Sequence, residues 1–410
     1  MAGPLSGIRV LDLTRILAGP WATQNLADMG ADVIKIERPG TGDDTRAFGP
    51  PFIHDQHTGE PLHASYFLAC NRGKRSVAID LSTREGAALV RQLIARCDVV
   101  VENFKAGDLA RYRLDYASLR DEFPELVYCS LTGFGQTGPY AQRPGYDYLI
   151  QGMGGLMSVT GERDGLPGGG PQRAGVAVSD ILSGMYAALG IVAALRHRDQ
   201  GHGGQHIDIG MLDVQVGTLA NQALNFLTTG VAPVRVGNGH PNLAPYRSFR
   251  TLDGHIIVTI GNDQQFGRLC RALSVDHLAA DARFSHNASR VRNRTDLEAM
   301  LEPLFLAQST REWVVALDAA RVPCGPINTI DRVFDDPQVI DRGMLKELAH
   351  PRSGTVPTVA SPLRFSQSPV EYDRAPPLLG ADTAEVLMEI LSLTDADLSG
   401  LQAQGVIAQL

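Results

Sequence analysis

Short apolar runs alternate with amphipathic segments along residues 1–131, and this alternation restricts the possible folds more than any other feature of the chain. Such runs predict buried strands, and apolar residues spaced three or four apart predict the helices between them. A chain that alternates in this way builds a parallel sheet with helices on both faces, and ligands bind beyond the carboxyl ends of its strands. The predicted strands are residues 8–13, 32–36, 77–81, 98–101 and 126–131, and the predicted helices are 22–29 and 84–96.

A glycine-rich stretch at 152–175 leads into a long apolar helix, which is followed by a strand at 207–212 and a helix through Asn225. One stripe of this long helix recurs at helical spacing, and we expect that stripe to face the core. The residues of the stripe are Ile181, Met185, Leu189, Val192 and Leu195.

A smaller domain is predicted to begin around a strand pair joined by an Asp253–Gly254 turn, a strong hairpin signal. Before it, 237–245 is predicted to be a long loop, and after it the proline-rich stretch 351–377 is predicted to return along the surface towards a last helix at 383–391. The predicted domains are 1–215 for the first part of a large domain, 216–335 for a linker and small domain, and 336–410 for a return linker and a C-terminal part that packs on the large domain.

Composition excludes several classes of partner. The net charge is −8 and no block of lysine or arginine occurs, which argues against nucleic acid and anionic membranes but not against a phosphorylated small molecule. We find no signal peptide and no apolar stretch near the roughly 20 residues of a membrane helix. Five scattered cysteines without a CxxC pair predict reduced thiols, no metal site and a cytoplasmic location.

Two motifs that could indicate other chemistries are weak. GFGQTG at 133–138 matches GxGxxG, but Pro139 follows it, so it does not open a helix as a dinucleotide site requires. His202 and His206 lie in a segment with three glycines, which predicts loop residues, not a metal-bearing helix. The GxSxG motif is absent, so the sequence offers no serine nucleophile of that hydrolase type.

Asp180 has two interpretations from its position where the glycine-rich stretch meets the long helix. It could cap the helix N-terminus, as Ser179 could also do, for about 1 kcal/mol. It could instead be a nucleophile that helix-end amides keep anionic at neutral pH, beside glycines that let a substrate carbonyl approach. Residue types alone leave both open.

Several other side chains follow predicted strands or turns and have a functional and a structural interpretation. Arg38 follows the second strand and could meet a phosphate or be a solvated surface residue. Asn103 could cap a helix, Phe104 could be core, and Tyr146 could simply pack in its turn with Asp147.

Taken together, several segments resemble the class III CoA-transferase family, also called the CaiB/BaiF group. They span about residues 11–266 in a family-like order, with weaker likeness beyond. The matching segments are LDLTRILAGPWATQNLADMGADVIKIERPGTGDDTR, CNRGKRSVAIDL, VENF, RPGYDYLIQ, the SD…G helix, HGGQHIDIGMLDV and GNDQQF.

The resemblance implies an α/β fold with a Rossmann-like open parallel sheet in a large domain, a smaller α+β domain, and two chains interlocked as an obligate homodimer. It implies Asp180 as the catalytic residue, with coenzyme A as a substrate and no tightly bound cofactor or metal. It also implies CoA contacts at Leu17, Ala18, Arg38, Ile79, Asp80, Leu81, Ser82, Asn103, Phe104, Lys105, Arg111, Tyr146 and Asp147.

The implied reaction moves CoA from an acyl-CoA to a carboxylic acid through acyl-aspartate and aspartyl-CoA intermediates. Loops 237–245 and 260–265 would shield these intermediates from water. A racemase of 2-methylacyl-CoA shares the fold, but it uses a histidine where this chain has Tyr146, a poor base at neutral pH. A non-catalytic CoA-binding homologue is the third alternative.

The acceptor implied by the resemblance is a dicarboxylate, with succinyl-CoA as donor, because APYRSF and GNDQQF are similar to the corresponding stretches of such members. Formyl-CoA transferases carry glutamine at the position of Leu17 and a four-glycine run that this chain lacks, which argues against oxalate and formate. The candidates for binding a distal carboxylate are Arg173, His240, Asn242, Tyr246 and Arg247.

Overall fold

The six runs predicted as strands of the large domain form one parallel sheet in a computed structural model that describes residues 2–409. The strands are β1 (Arg9–Asp12), β2 (Asp32–Glu37), β3 (Phe52–His54), β4 (Pro61–Ala64), β5 (Lys74–Ile79), β6 (Val99–Glu102), β7 (Val127–Thr132), β8 (His206–Gly210), β9 (Tyr246–Arg250), β10 (His255–Thr259), β11 (Cys324–Pro326), β12 (Leu345–His350), β13 (Gly354–Val359) and β14 (Ile407–Ala408).

Helices cover the sheet, and further helices lie in the rest of the described chain. They are α1 (Ala18–Asp28), α2 (Ser65–Leu68), α3 (Arg84–Ile94), α4 (Tyr116–Leu119), α5 (Asp147–Met153), α6 (Leu156–Val159), α7 (Val178–His197), α8 (Met211–Gly217), α9 (Ala220–Thr229), α10 (Asp263–Ala272), α11 (His277–Ala280), α12 (Asn287–Arg292), α13 (Arg294–Phe305), α14 (Thr310–Ala319), α15 (Ile330–Phe334), α16 (Pro337–Asp341), α17 (Thr383–Leu391) and α18 (Asp395–Ala403).

The order of the main sheet is β14-β5-β2-β1-β6-β7-β8, and only the two-residue β14 runs antiparallel to its neighbour. From β1 the chain first builds outward through β2 and β5, then returns to place β6 on the other side of β1. Loops that leave β1 and β6 therefore diverge at the carboxyl edge, and such a switch point is where open α/β sheets bind ligands.

Both faces of the sheet are buried because successive strand residues point to opposite sides. In β1, Leu11 joins a core with α3 and α17, whereas Val10 joins a core with α1 and α7. Both side chains are fully buried, and burying a side chain of this size contributes about 1.5–3 kcal/mol. The continuous apolar runs of the sequence arise from this double burial.

The chain divides into two compact units. The first comprises Met1–Leu156, Ala174–Ala223 and Gln338–Leu410, and contains the main sheet. The second comprises Met157–Arg173 and Leu224–Pro337, so it also takes in part of the glycine-rich stretch that we assigned to the large domain. Within it, the predicted hairpin is present as β9 and β10, extended by β11 and packed on α10, α13 and α14.

The buried face of α7 agrees with the predicted stripe only in part, since Leu195 is buried in the core and Val192 packs against it. Met185 and Leu189 are exposed, whereas the side that packs on α1 carries small residues such as Gly184 and Ala187. A Cβ atom on Gly184 would lie 2.5 Å from the carbonyl oxygen of Ala18, so the two helices approach too closely for a larger side chain. Small residues therefore form the contact with α1, and large apolar residues of α7 are buried further along the helix.

The stretch Val178–His202 is long enough to cross a membrane and contains an 18-residue window with a mean hydropathy of 1.7, so the expectation that no such stretch exists is wrong. Within the first unit this helix packs on α1, α8, β7 and β8. One side of this apolar helix is therefore packed in the interior of the protein.

His206 is likewise not a loop residue. It is the first residue of β8, and its Nε2 lies 2.9 Å from the hydroxyl of Ser130 on β7.

Candidate active site

Two adjacent cavities lie at the carboxyl edge of the main sheet, and both are lined by Arg15 and Phe104. The first has a volume of about 420 Å³ and contains these predicted residues: Arg38, Ile79, Asp80, Leu81, Ser82, Phe104 and Arg111. The second has a volume of about 220 Å³ and contains Leu17, Ala18, Asn103, Phe104, Lys105, Tyr146 and Asp180. The fold thus brings together residues that are far apart in sequence.

The first cavity combines exposed arginines with a defined turn. The carboxylate of Asp80 accepts hydrogen bonds from the backbone N–H and the hydroxyl of Ser82, at 2.9 and 2.7 Å, and so shapes the turn after β5. Arg38 and Arg111 are exposed at its lining. Two guanidinium groups beside a groove of this size suit a phosphorylated ligand.

Asp180 does not cap α7. The N-cap residue is Ala177, and its side chain makes no capping bond. The carboxylate of Asp147 instead accepts the N–H of Ser179 at 2.9 Å and that of Asp180 at 3.4 Å, and it also accepts the side-chain amide of Gln151 at 2.7 Å. Within residues 2–409, no group donates a hydrogen bond to the carboxylate of Asp180, which faces the second cavity.

The charge state of Asp180 also differs from the expectation that helix amides keep it anionic. Burial, together with the neighbouring charge of Asp147, raises the pKa of Asp180 from 3.8 to about 7. The physical reason is that Asp147 already takes the amides at the start of α7, so Asp180 experiences desolvation and a like charge without compensating hydrogen bonds. A carboxylate with such a pKa is a stronger base, and hence a stronger nucleophile once ionised, than an ordinary aspartate.

The structure does not place Asp147 in the lining of either cavity. Its side chain is 8% exposed and its two oxygens accept bonds from α5 and α7. Its position behind the wall fits a role in fixing the start of α7.

Close backbone approach forms one wall of the second cavity. Cβ atoms on Gly133 and Gly145 would each lie within about 2.5 Å of the other residue's Cα, so both positions require glycine. The first of these belongs to the GFGQTG segment, which continues into turns, as predicted. Tyr146, at 68% exposure, follows on the same wall, and no histidine is among the described residues that line this cavity.

Buried ion pairs underlie the cavities. Lys74 contacts Asp12 at 3.0 Å and Lys35 contacts Asp43 at 2.9 Å, with all four side chains fully buried. Burial alone would raise the pKa of Asp12, but Lys74 and Lys35 hold it well below its usual range. Removing one member of such a pair leaves an uncompensated buried charge, which costs about 3–5 kcal/mol.

A family model described as CoA-transferase family III matches residues 5–383 of the chain. The chain belongs to CoA-transferase family III.

Relatives and a solved structure agree with this assignment over nearly the whole length. A succinate–glutarate CoA-transferase from Agrobacterium fabrum is 51% identical over 387 residues, covering 94% of this chain and 96% of that protein. A succinyl-CoA:glutarate CoA-transferase from Homo sapiens is 40% identical over 406 residues, covering 99% and 90%. The crystal structure of a CAIB/BAIF family protein from Brucella suis has a TM-score of 0.83 at 49% identity, covering 95% of this chain and 100% of that one.

Two residues near Asp180 of this family III chain were not found by sequence reasoning. Arg15 lines both cavities, and its guanidinium lies 5.8 Å from the ring centre of Phe104. Burial, then the charge of Asp180, raise the pKa of Tyr66 to about 12, so its phenol stays protonated at neutral pH. Tyr66 lies in an apolar segment of the kind that is typical of a buried core, and no local sequence pattern indicates that it lies near the site.

The candidates for a distal carboxylate all belong to the second unit of the family III chain. Arg247 is already paired with Glu298 at 2.7 Å, and Arg163 shares the same carboxylate at 3.3 Å. Burial and the charge of Arg294 lower the pKa of His240, which favours its neutral form.

The second predicted cover, 260–265, is not a free loop. Asn262 caps α10 by accepting the N–H of Gln265 at 2.9 Å, and the side chain of Gln265 accepts the N–H of Gly261 at 2.7 Å. The segment is an ordered helix start, whereas 237–245 is irregular, as predicted.

Within the described range 2–409, no group of three or more histidine, cysteine, aspartate or glutamate side chains could hold a metal ion.

Proposed function

We propose that the chain transfers CoA from succinyl-CoA to a dicarboxylic acid and that Asp180 carries the acyl group covalently. The observation that carries the proposal is the carboxylate of Asp180, which faces a cavity while Asp147 caps its helix. Membership of CoA-transferase family III and the dicarboxylates in the relatives' names support the reaction class and the acceptor.

The chemistry begins when the ionised Asp180 attacks the carbonyl carbon of the donor thioester. The carbon–sulfur bond breaks, CoA leaves as a thiolate, and a mixed anhydride remains on the aspartate. The thiolate then attacks the aspartyl carbonyl, which releases the donor acid and leaves an aspartyl-CoA thioester. The acceptor carboxylate reverses these two steps, so one thioester is exchanged for another without ATP.

The surroundings of Asp180 suit these steps. The first cavity with Arg38 and Arg111 would hold the phosphorylated end of CoA, and the second would receive the thioester. The N–H groups of Ala18 and Gly19 donate no hydrogen bond within residues 2–409 and lie at the start of α1 beside the second cavity. They are suited to stabilise the oxyanion of each tetrahedral intermediate.

The test combines trapping with an acceptor screen. Wild-type protein incubated with succinyl-CoA and hydroxylamine should yield a hydroxamate at Asp180, detected by mass spectrometry of the peptide. Asp180→Ala should give none and lose transfer by at least a thousandfold. Asp199→Asn, which changes an acid in the exposed turn after α7, is the control and should transfer normally. Trapping at another residue would refute the mechanism.

Succinyl-CoA and acetyl-CoA should be screened against mono- and dicarboxylic acids, and we expect the highest kcat/KM with succinyl-CoA and a dicarboxylate. A racemase would instead incorporate deuterium at the α-carbon of 2-methylacyl-CoA, and a non-catalytic homologue would bind CoA without any turnover. Either result would overturn the proposal.

We also propose the interlocked homodimer that the resemblance implies. Large apolar side chains are exposed on α7 and α9, including Leu189 at 65% and Leu227 at 72%. Large apolar side chains left exposed on a helix are typical of a protein–protein interface. A cytoplasmic location is proposed as well, since all five cysteines are unpaired.

A further inference from the structure

The turn between β1 and α1, residues 14–16, is held by side chains at every backbone N–H and C=O group. The partners come from five separate segments of the chain. The N–H of Thr14 donates to the carboxylate of Asp12 at 2.9 Å, and the carbonyl of Thr14 accepts from Lys35 at 2.7 Å. The N–H of Arg15 donates to the side chain of Asn103 at 2.9 Å, and the carbonyl of Arg15 accepts from the same side chain at 2.7 Å. The N–H of Ile16 donates to the carboxylate of Asp43 at 3.2 Å, and the carbonyl of Ile16 accepts from the thiol of Cys70 at 3.7 Å.

The turn is strained. Ile16 has a φ of 72°, in the left-handed region that β-branched residues avoid. Such a conformation persists only when the surroundings over-determine it, and it occurs preferentially at functional sites. Here the side-chain bonds supply that constraint.

The turn also sets the position of the groups next to the nucleophile. Leu17 and Ala18 follow it directly and line the second cavity with Asp180. Gly184 lies four residues after Asp180, on the same face of α7, and it packs against the carbonyl of Ala18. The first turn of α1 therefore faces the side of α7 that carries the nucleophile.

We propose that Asn103 is a positioning residue that holds this strained turn, and with it the first amides of α1, in the orientation that serves Asp180. The family resemblance assigns Asn103 to CoA contact, but its carbonyl oxygen and an N–H of its amide both bond Arg15. The kinetic part of this inference rests on the proposed transferase function, whereas the structural part does not.

The experiment compares Asn103→Ala and the isosteric Asn103→Asp with Asn293→Ala. The control residue lies in the second unit and also donates two side-chain bonds to backbone carbonyls, those of Arg283 and Ser289 at 3.2 and 3.0 Å. We would measure kcat with saturating succinyl-CoA, the Kd for CoA by calorimetry, and hydrogen exchange of the peptide that covers residues 13–20.

Both Asn103 variants should have a kcat at least tenfold lower than the wild type and a Kd for CoA within twofold of it. Hydrogen exchange of the 13–20 peptide should be at least tenfold faster in both. Asn293→Ala should change none of the three. A weaker Kd with unchanged kcat would make Asn103 a direct CoA ligand and overturn the inference, as would unchanged exchange in both variants. If wild-type protein transfers no CoA, the proposed function fails, yet faster exchange with an unchanged Kd would still support the positioning role.

Discussion

The carboxylates of Asp147 and Asp180 both lie at the start of α7, but only that of Asp147 accepts hydrogen bonds from the backbone N–H groups there. The division explains how both can coexist. Hydrogen bonds stabilise the carboxylate of Asp147. Burial and repulsion from Asp147 raise the pKa of Asp180 to about 7. With a pKa near neutrality, a small change in the surroundings of Asp180 alters the fraction of its carboxyl group that is ionised.

Asp147→Asn should therefore lower the pKa of Asp180, because it removes the like charge while an amide oxygen can still accept the N–H of Ser179. In the proposed mechanism the ionised form of Asp180 reacts, so kcat should rise with pH through this pKa, and the acid limb should move to lower pH by about one unit. The measurement is kcat between pH 5 and 8.5.

The matched control for that profile is Asp208→Asn. Asp208 also accepts a backbone N–H, that of Gln136 at 3.0 Å, but its charge does not perturb Asp180. An acid limb that stays in place in Asp147→Asn, or that moves equally in both variants, would contradict this account.

At the residue scale, the family segments name candidate residues that the fold brings to two cavities, but they do not predict the electrostatics around Asp180. Asp147 lies far before Ser179 in the chain, and nothing local indicates that it caps the later helix. Arg15 lines both cavities only because β1 and β6 are neighbours in the sheet. Contacts of this kind depend on the tertiary fold and are not encoded in a short window.

At the element scale, α7 shows why periodicity predicted its buried face only in part. The helix is apolar nearly all round, so several stripes satisfy the same spacing. Its orientation is decided by how closely α1 can approach, which favours the stripe of glycine and alanine. By contrast, the strands were predictable within one to three residues, because double burial leaves continuous apolar runs.

Gly184→Ala tests this packing. The new methyl group would meet the carbonyl oxygen of Ala18 at 2.5 Å and side-chain atoms of Trp21 at 3.2 Å, so α7 and its Asp180 must shift away from α1. Overpacking of this kind destabilises by about 1–3 kcal/mol, and we expect kcat to fall at least tenfold. Urea unfolding and steady-state kinetics measure the two effects.

Gly217→Ala provides the comparison. This glycine ends α8, and a Cβ atom there would meet nothing within 4 Å. Alanine at a helical position should leave stability unchanged or raise it by about 0.5–1 kcal/mol. If both variants behaved alike, the close contact between α1 and α7 would not be what places Asp180.

At the scale of the whole molecule, the sequence predicted a large and a small unit and a C-terminal part that packs on the large one, but not the last elements of the chain. The C-terminal strand β14 pairs antiparallel with β5, and α18 precedes it; neither was predicted. A strand of two residues carries too little pattern to be seen, and its partner is more than 300 residues away in sequence. The return segment closes the first unit with residues from both ends of the chain.

An interlocked dimer has a kinetic consequence that an ordinary dimer does not share. Two chains threaded through each other can separate only if one of them unfolds, so subunits should exchange no faster than global unfolding, which takes hours to days for many stable proteins. Two dimers with different affinity tags, mixed at micromolar concentration in native buffer, should therefore give no mixed dimers over a day in native mass spectrometry.

Unfolding in urea followed by joint refolding should produce mixed dimers in the statistical proportion of one half. Co-expression of the two tagged chains, which lets them assemble together from the start, should produce the same proportion without denaturant and shows that the tags do not prevent pairing. Mixed dimers that appear within minutes in native buffer would mean that the exposed apolar faces of α7 and α9 meet side by side, without threading.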